Sequence, residues 1–449
     1  MDGDDTLPVR VPLATRPLGL IETARAARRN LLEIIPEIAT QRPVMSATAP
    51  IRWHMVMDPQ LLEHILKDRV DNYPKSTVTK SLLQDAIGDS LFIAEGAHWR
   101  WQRRAAAPAF AARNVTALAP VMSAAAEASS RRLSAASGPV DLYDQAIAAT
   151  FDVISDVTFS GGEGFDRAAV HSAIDAYIER TARVSLLDVA GLPDWIPRPS
   201  RIFAGRDLRR MKALADESIN AREADGPRSP PDLLDLLRAG EDSETGRRMN
   251  PSELRDNLLT FIVAGHETTA LTIAWALYLC AFDPAEQDRA ASQARDVLGD
   301  RAAGADDLPQ LDLTERIVNE SLRLYPPAAF LARTARAPDS FYGRAVRPGD
   351  VVMLPIYALH RSKLLWEAPD AFRPARFAEG TERPRFAFLP FGAGARICIG
   401  ANFAVQEAVI ILATLLARHR FALTGRLPKP RMILTLRPEG GVWLAVSPR

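Results

Sequence analysis

A continuous apolar helical pattern runs from Asn250-Pro251 to Asp283-Pro284, and a segment of that length dictates the size of whatever packs around it. Asn250 is a good cap, and Pro251 suits the first helical turn, where its missing N–H would be unpaired in any case. At about 1.5 Å per residue the helix is roughly 50 Å long, enough to cross a whole domain. The stretch from Leu258 to Phe282 is apolar enough to be weighed as a membrane span. His266 and Glu267 fall in its middle, however, where charge is costly in a bilayer. The segment is therefore read as the buried central helix of a soluble protein.

The rest of the chain has room to enclose such a helix. With 449 residues, 47% hydrophobic and 24% charged, the composition is that of a globular enzyme able to bury a core and a cofactor. The 55 basic and 55 acidic side chains cancel without a long basic run, which argues against electrostatic capture of nucleic acid. Cys280 and Cys398 are too few for a disulfide scaffold or a zinc cluster and fit a reducing compartment. The opening MDGDDTLPVRVPLATRP lacks the basic flank and apolar run of a signal peptide, so no integral membrane anchor and a cytoplasmic location are expected.

Residues Ile51 to Met57 alternate at their start as a half-buried strand does, and Asp58 then caps a helix with Pro59 at its first position. Helical periodicity dominates from about residue 97 to 300, apart from surface connections around a short Leu cluster between residues 222 and 250. The double proline after Tyr325 stops the helices that follow the central one. Arg347-Pro348-Gly349-Asp350 and Pro438-Glu439-Gly440-Gly441 read as hairpin turns between short strands. The expected fold class is mainly α with small β-sheets near both ends, in one domain spanning residues 1 to 449 after a lead-in of about 40 residues.

Chemistry concentrates at Cys398. It stands in Phe391-Gly392-Ala393-Gly394-Ala395-Arg396-Ile397-Cys398-Ile399-Gly400, a glycine-punctuated loop at the mouth of an apolar helix. A thiolate there gains from the positive end of the helix dipole and from free backbone N–H groups, which makes it a candidate soft metal ligand. Ala264-Gly265-His266-Glu267-Thr268-Thr269, inside the long helix, sets a Gly beside hydroxyls that compete for backbone carbonyls. The alternative is a packing glycine where another helix crosses. A zinc-protease reading of His266-Glu267 fails because Ala270 holds the second histidine position. Glu320 and Arg323 share a helix face, as do Trp99 and Arg103.

Together these signals make the chain resemble the cytochrome P450 haem-thiolate monooxygenases. That family's ligand loop, Phe-x-x-Gly-x-Arg-x-Cys-x-Gly, is matched by Phe391, Gly394, Arg396, Cys398 and Gly400. Its distal-helix motif is matched from Ala264 to Thr269, its Glu-x-x-Arg pair by Glu320 and Arg323, and the arginine completing that network by Arg376. Ala375 departs from the pattern, standing where an acidic residue is frequent.

The resemblance implies a helix-rich triangular domain holding haem b (iron protoporphyrin IX) between the long distal helix and the helix after the cysteine. Cys398 would be the axial ligand, and Phe391 its shield from water. Gly394 and Gly400 would let the backbone approach closely, and Ala264 and Gly265 would give the haem room on the distal side. Arg396, Trp99, Arg103 and Arg333 would meet the propionates, with His360 a weaker candidate. Thr268 and Glu267 would order water and deliver protons, and Glu320, Arg323 and Arg376 would form a structural network.

The resemblance also implies O2 and a lipophilic small molecule as substrates. The pocket would be lined by residues 75 to 95 and 170 to 205, Phe261, Ile262, Ala328 to Leu331, and the turn near Gly440 to Val442. The stretch VSLLDVAGLPDWIP reads as a mobile lid, a membrane-touching segment or a plain packed loop. TLRPEGG and LRLYPPA are similar to a bacterial branch that oxidises carotenoids and fatty acids. Without a dinucleotide fingerprint or an iron–sulfur cysteine set, electrons must come from a separate ferredoxin or flavodoxin with its reductase. Arg100, Arg103 and Arg104 are the expected docking patch, and the protein is expected to act as a monomer. A haem sensor, a peroxygenase and a haem-thiolate isomerase or dehydratase are the alternatives; none needs the Glu267-Thr268 pair.

Overall fold

The computed structural model describes residues 7–48, 52–159 and 205–449. The expected lid stretch, and nearly all of the expected pocket segment from 170 to 205, lie outside them. Five helices position the site: α1 (Gly96–Ala106), α2 (Leu142–Phe159), α3 (Pro251–Phe282), α4 (Asp312–Leu324) and α5 (Ala401–Arg418).

Helix α3 starts and stops where its sequence signals stand. The Asn250 side chain accepts from the Glu253 N–H at 2.9 Å, and the Glu253 carboxylate accepts from the Asn250 N–H at 3.0 Å. The helix packs against α2, α4 and α5 and is buried over most of its length. Among the described residues, the two helices long and apolar enough to cross a membrane, α3 and α5, are core helices, with 78% and 67% of their most apolar windows buried. Gly265 does not break α3. A methyl placed on it would stand 3.4 Å from Ile154 Cδ1 of α2, so this glycine sits where one helix crosses another.

The strands are β1 (Val44–Ala47), β2 (Trp53–Val56), β3 (Val140–Asp141), β4 (Leu331–Thr334), β5 (Asp339–Phe341), β6 (Arg344–Val346), β7 (Val351–Leu354), β8 (His419–Leu423), β9 (Lys429–Met432), β10 (Leu436–Glu439) and β11 (Trp443–Pro448). They form sheets in the orders β1-β2-β7-β4 and β3-β11-β8, and two pairs, β5-β6 and β9-β10. The expected strand near residue 53 and the Asp58 cap are present, with Asp58 Oδ1 accepting from the Leu61 N–H at 2.9 Å. The short helix between residues 222 and 250 is Leu233–Ala239.

Two expectations need correction. The turns Arg347–Asp350 and Pro438–Gly441 are turns but not hairpins, because each carries the chain from one sheet into another. Turn chemistry fixes a chain reversal, whereas the pairing partner is a long-range choice. The helical reading of residues 97 to 300 also passed over β3, whose two residues are too short to show a period.

Glu320 and Arg323 on α4 are fully buried. Arg323 Nε and Nη2 donate to the two Glu320 oxygens at 2.7 and 2.8 Å. Its remaining N–H groups reach the carbonyls of His360 (2.8 Å), Pro369 (2.6 Å) and Ala371 (3.0 Å), so all five guanidinium donors are used. Arg376 Nε stands 3.4 Å from Glu320 Oε1, and the Arg373 N–H donates to the same oxygen at 2.8 Å. Arg323→Lys keeps the charge but supplies three donors, so buried acceptors lose their partners. The expected outcome is a loss of about 3–5 kcal/mol, the cost of opening a buried ion pair, read as a lower urea midpoint.

Candidate haem site

The Cys398 loop is shaped by its glycines and closed on itself. Gly394 has φ +68°, and a methyl there would stand 2.0 Å from the Leu66 carbonyl oxygen, so no other residue fits without moving backbone. A tight turn over Gly394–Arg396 follows, with the Ile397 N–H donating to Gly394 O at 3.2 Å and the Cys398 N–H to Phe391 O at 2.9 Å. Cys398 lies three residues before the first residue of α5 and is exposed. Burial of its surroundings pushes the thiol up, against the Gly400 N–H and the positive charges of Arg103 and Lys75, which pull it down. At Gly400 φ is −90° and the nearest protein atom to an added methyl is 3.9 Å away, so protein packing alone does not require glycine there.

Cations collect beside this loop. Arg396 Nη1 donates to Ala94 O at 2.8 Å, its guanidinium pairs with Glu95, and it lies 4.2 Å above the Trp99 ring. Arg333 comes in from β4, only 8% exposed, and burial followed by repulsion from Arg396 holds its guanidinium down at about 10. Lys75, which sequence reasoning did not single out, bridges to Arg333 through the backbone. Its Nζ donates to Phe92 O at 2.6 Å and stands 3.3 Å over the Phe92 ring. Burial, then Arg333 and Arg396, push this amine well below the ordinary lysine range. Arg103 on α1 is likewise lowered by burial and feels the charge of Cys398. Glu95 is the acidic group common to Lys75, Arg333 and Arg396, and it also pairs with Lys80 at 3.2 Å.

So dense a set of half-buried and buried cations around one carboxylate is costly unless further anions join it, and a haem brings two propionates to a thiolate ligand. The residues present therefore fit the group: Cys398 as ligand, with Lys75, Arg103, Arg333 and Arg396 for the carboxylates and Trp99 stacked beneath Arg396. His360 is not among them. It is buried and lowered to about 3, chiefly by burial, with Nε2 accepting from the Leu389 N–H at 2.8 Å and Nδ1 3.2 Å from Arg323 O. That makes it a structural tie between the Arg323 network and the chain leading to the loop. Among the described residues no group of three or more His, Cys, Asp or Glu side chains is placed to hold a metal ion.

On α3, Ala264 is exposed and Thr268 partly so, one turn apart, between Ile262 at 0% and the buried His266 and Glu267. The Thr268 hydroxyl donates to Ala264 O at 2.8 Å. Glu267 points elsewhere: its Oε1 accepts from Tyr143 at 3.3 Å and Thr435 at 3.0 Å, and pairs with Arg437 of β10. The missing methyl of Gly265 would meet Ile154 of α2, so helix packing also calls for a small residue there. Tyr143, Thr435 and Arg437 were missed because only long-range folding brings them to Glu267. Of the expected pocket residues, Ala328 is exposed, Leu331 half-buried, and Ile262 and Val442 are wholly buried in the packing.

Two of the three arginines of the expected docking patch, Arg100 and Arg104, are paired with carboxylates of this chain. Arg100 binds both oxygens of Asp71 at 2.8 and 2.7 Å, and Arg104 Nε and Nη2 reach Asp242 (2.5 Å) and Glu244 (3.0 Å).

The chain matches the cytochrome P450 family profile over residues 44–445. It is 32% identical over 387 residues to cyclooctatin synthase of Streptomyces melanosporofaciens, covering 85% of this chain and 83% of that one. From the same organism, cyclooctat-9-en-7-ol 5-monooxygenase is 32% identical over 385 residues, covering 83% and 80%. The protein LUTEIN DEFICIENT 5 of Arabidopsis thaliana is 29% identical over 433 residues, covering 89% and 71%. The solved haem domain of cytochrome P450DA superposes with a TM-score of 0.84 at 26% identity, covering 99% and 98% of the two chains. The fold and site thus define a haem-thiolate oxidoreductase, and the chain belongs to the cytochrome P450 family.

The charge imbalance has a measurable sign. The folded chain without haem holds Lys75 below its unfolded value of about 10.4, so between the two the unfolded state carries the extra proton and stability rises with pH. That contribution is lost as pH falls through the folded value. Lys75→Met should raise the urea midpoint of the haem-free protein at pH 7, flatten its rise toward pH 10 and weaken haem retention in the loaded one.

Proposed function

We propose that this cytochrome P450 hydroxylates a lipophilic ring or chain compound, drawing electrons from a separate ferredoxin or flavodoxin with its reductase. The observation that carries this reading is the face of α3 that bears Ala264 and Thr268: one methyl and one hydroxyl, with the nearby carboxylate drawn away to Arg437. A surface of that kind favours apolar substrates and leaves one hydroxyl to orient water. The names of cyclooctat-9-en-7-ol 5-monooxygenase and LUTEIN DEFICIENT 5 agree with a lipophilic substrate for those relatives.

Haem bound at Cys398 would supply the activation of O2. The chain's own residues would do the rest. Arg333, Arg396 and Lys75 would fix the orientation of the group, and the apolar side chains would exclude bulk water. The Thr268 hydroxyl, bonded to Ala264 O, keeps its lone pairs open to accept from a water, and Glu267 would exchange protons with it after leaving Arg437. Arg100 and Arg104 are committed to Asp71, Asp242 and Glu244, so a redox partner would find its cations elsewhere.

The test is the carbon monoxide spectrum of the reduced protein, followed by a spin-state screen of polycyclic, long-chain and aromatic compounds. A thiolate-type Soret band and shifts confined to lipophilic classes are expected; an unshifted band in folded protein would sink the reading. Thr268→Ala should continue to consume O2 while product formed per electron falls by up to about a hundred-fold, the lower range for a positioned proton donor. Arg437→Leu removes the ionic partner of Glu267 and should raise the share of electrons appearing as peroxide without changing the carbon monoxide band.

A further inference from the structure

We infer that His64, Tyr73 and Asp339 are positioning residues for the cysteine loop, acting through one turn of π-helix; this rests on the haem-thiolate reading above. The short helix Pro59–Glu63 widens into the π-turn His64–Asp68, closed by the Arg69 N–H donating to His64 O at 2.8 Å. Such turns are rare and are frequently found at functional sites. Ile65 and Leu66 are buried on its inner side.

The π-turn bears on the loop backbone to backbone. The missing methyl of Gly394 would lie 2.0 Å from Leu66 O, 2.7 Å from Leu66 C and 3.2 Å from Lys67 Cα. No flexible side chain stands between the two, so a shift of the turn is transmitted and not absorbed. Gly394 O then accepts from Ile397 N–H, the residue before the ligand, so the height of Gly394 sets where the Cys398 sulfur comes to rest.

What fixes the π-turn is a carboxylate from a different sheet. Asp339 Oδ2, on β5, stands 2.8 Å from His64 Nε2 and accepts from the Tyr73 hydroxyl at 2.7 Å, while Oδ1 accepts from the Ser340 N–H at 2.8 Å. The Tyr73 ring stacks on Phe341 of the same strand at 6.1 Å and meets the His64 ring edge-on at 6.5 Å. The β5-β6 hairpin, which belongs to no larger sheet, thereby anchors the turn on which the loop rests. Outer groups of this kind orient metal ligands, and their loss commonly costs about ten- to a hundred-fold in metal affinity or activity.

The experiment uses the full-length haem-loaded protein and three variants of the set, Asp339→Leu, Asp339→Asn and His64→Gln. Glu127→Gln, which breaks the Arg418 ion pair, is the control for general destabilisation. Two quantities are read: the fraction of the reduced carbon monoxide complex with a thiol-type instead of a thiolate-type band, and the rate of haem loss to excess apomyoglobin. Asp339→Leu should raise the thiol-type fraction and speed haem loss about ten-fold, with Asp339→Asn and His64→Gln, which keep neutral hydrogen bonds, recovering most of the difference. The proposal is overturned if both readouts track melting temperature along the same line as Glu127→Gln. It falls together with the haem-thiolate reading if the wild-type protein gives no thiolate-type band.

Discussion

Positive charge that a single shared carboxylate, Glu95, only partly neutralises governs the architecture around Cys398. Lys75, Arg333 and Arg396 are brought together from three distant parts of the chain, and all three are pushed down by burial, with Arg396 also lowering Arg333 and both arginines lowering Lys75. Unpaired buried charge is among the most expensive features a fold can carry, so its retention marks where an anionic partner belongs. The strand pairing follows from that requirement: the Lys75 to Arg333 bridge and the bond from Ser76 N–H to Ala332 O hold two of the cations side by side. The Glu320–Arg323 pair does the opposite on α4, where every Arg323 donor is satisfied and both side chains are internal. One cluster is closed and structural, the other open and ligand-directed, although both are built from arginine.

Local chemistry was legible in the sequence; long-range assignment was not. Asn250-Pro251 and Asp283-Pro284 bound α3 because caps and first-turn prolines act within four residues. The Cys398 loop was visible because its glycines answer a backbone need, met at Gly394 by the Leu66 carbonyl. The two turns read as hairpins were correct as reversals and wrong in connection, since the partner strand lies elsewhere in the chain. Arg100 and Arg104 looked like a free basic face because Asp242 and Glu244, which neutralise Arg104, are more than a hundred residues away. Lys75 gave no signal at all, because a lone lysine becomes unusual only once Arg333 and Arg396 surround it.

Adjacent small residues on α3, Ala264 and Gly265, show how one motif divides its labour. Gly265 serves contact with Ile154 of α2, and Ala264 beside it opens to the site. Both residues are small, but for different reasons: one lets a helix approach, the other leaves room for a ligand. Sequence alone offered both meanings for Gly265, and neighbours such as Ala264 take a different side because successive helical residues differ by about 100° in direction.

The same rotation separates Glu267 from Thr268. They are neighbours in sequence and are expected to act together on protons, yet the helix sends the hydroxyl toward Ala264 and the carboxylate toward Tyr143, Thr435 and Arg437. For the two to meet through water, the carboxylate must leave an ion pair whose other half sits on β10. Arg437 stands on β10, which is joined to β9 and bonded through Leu436 O to Trp275 Nε1 of α3, so the ion pair is tied to the packing of the distal helix. A proton path of this form is controlled by the fold's long-range contacts as much as by the motif that first marks it.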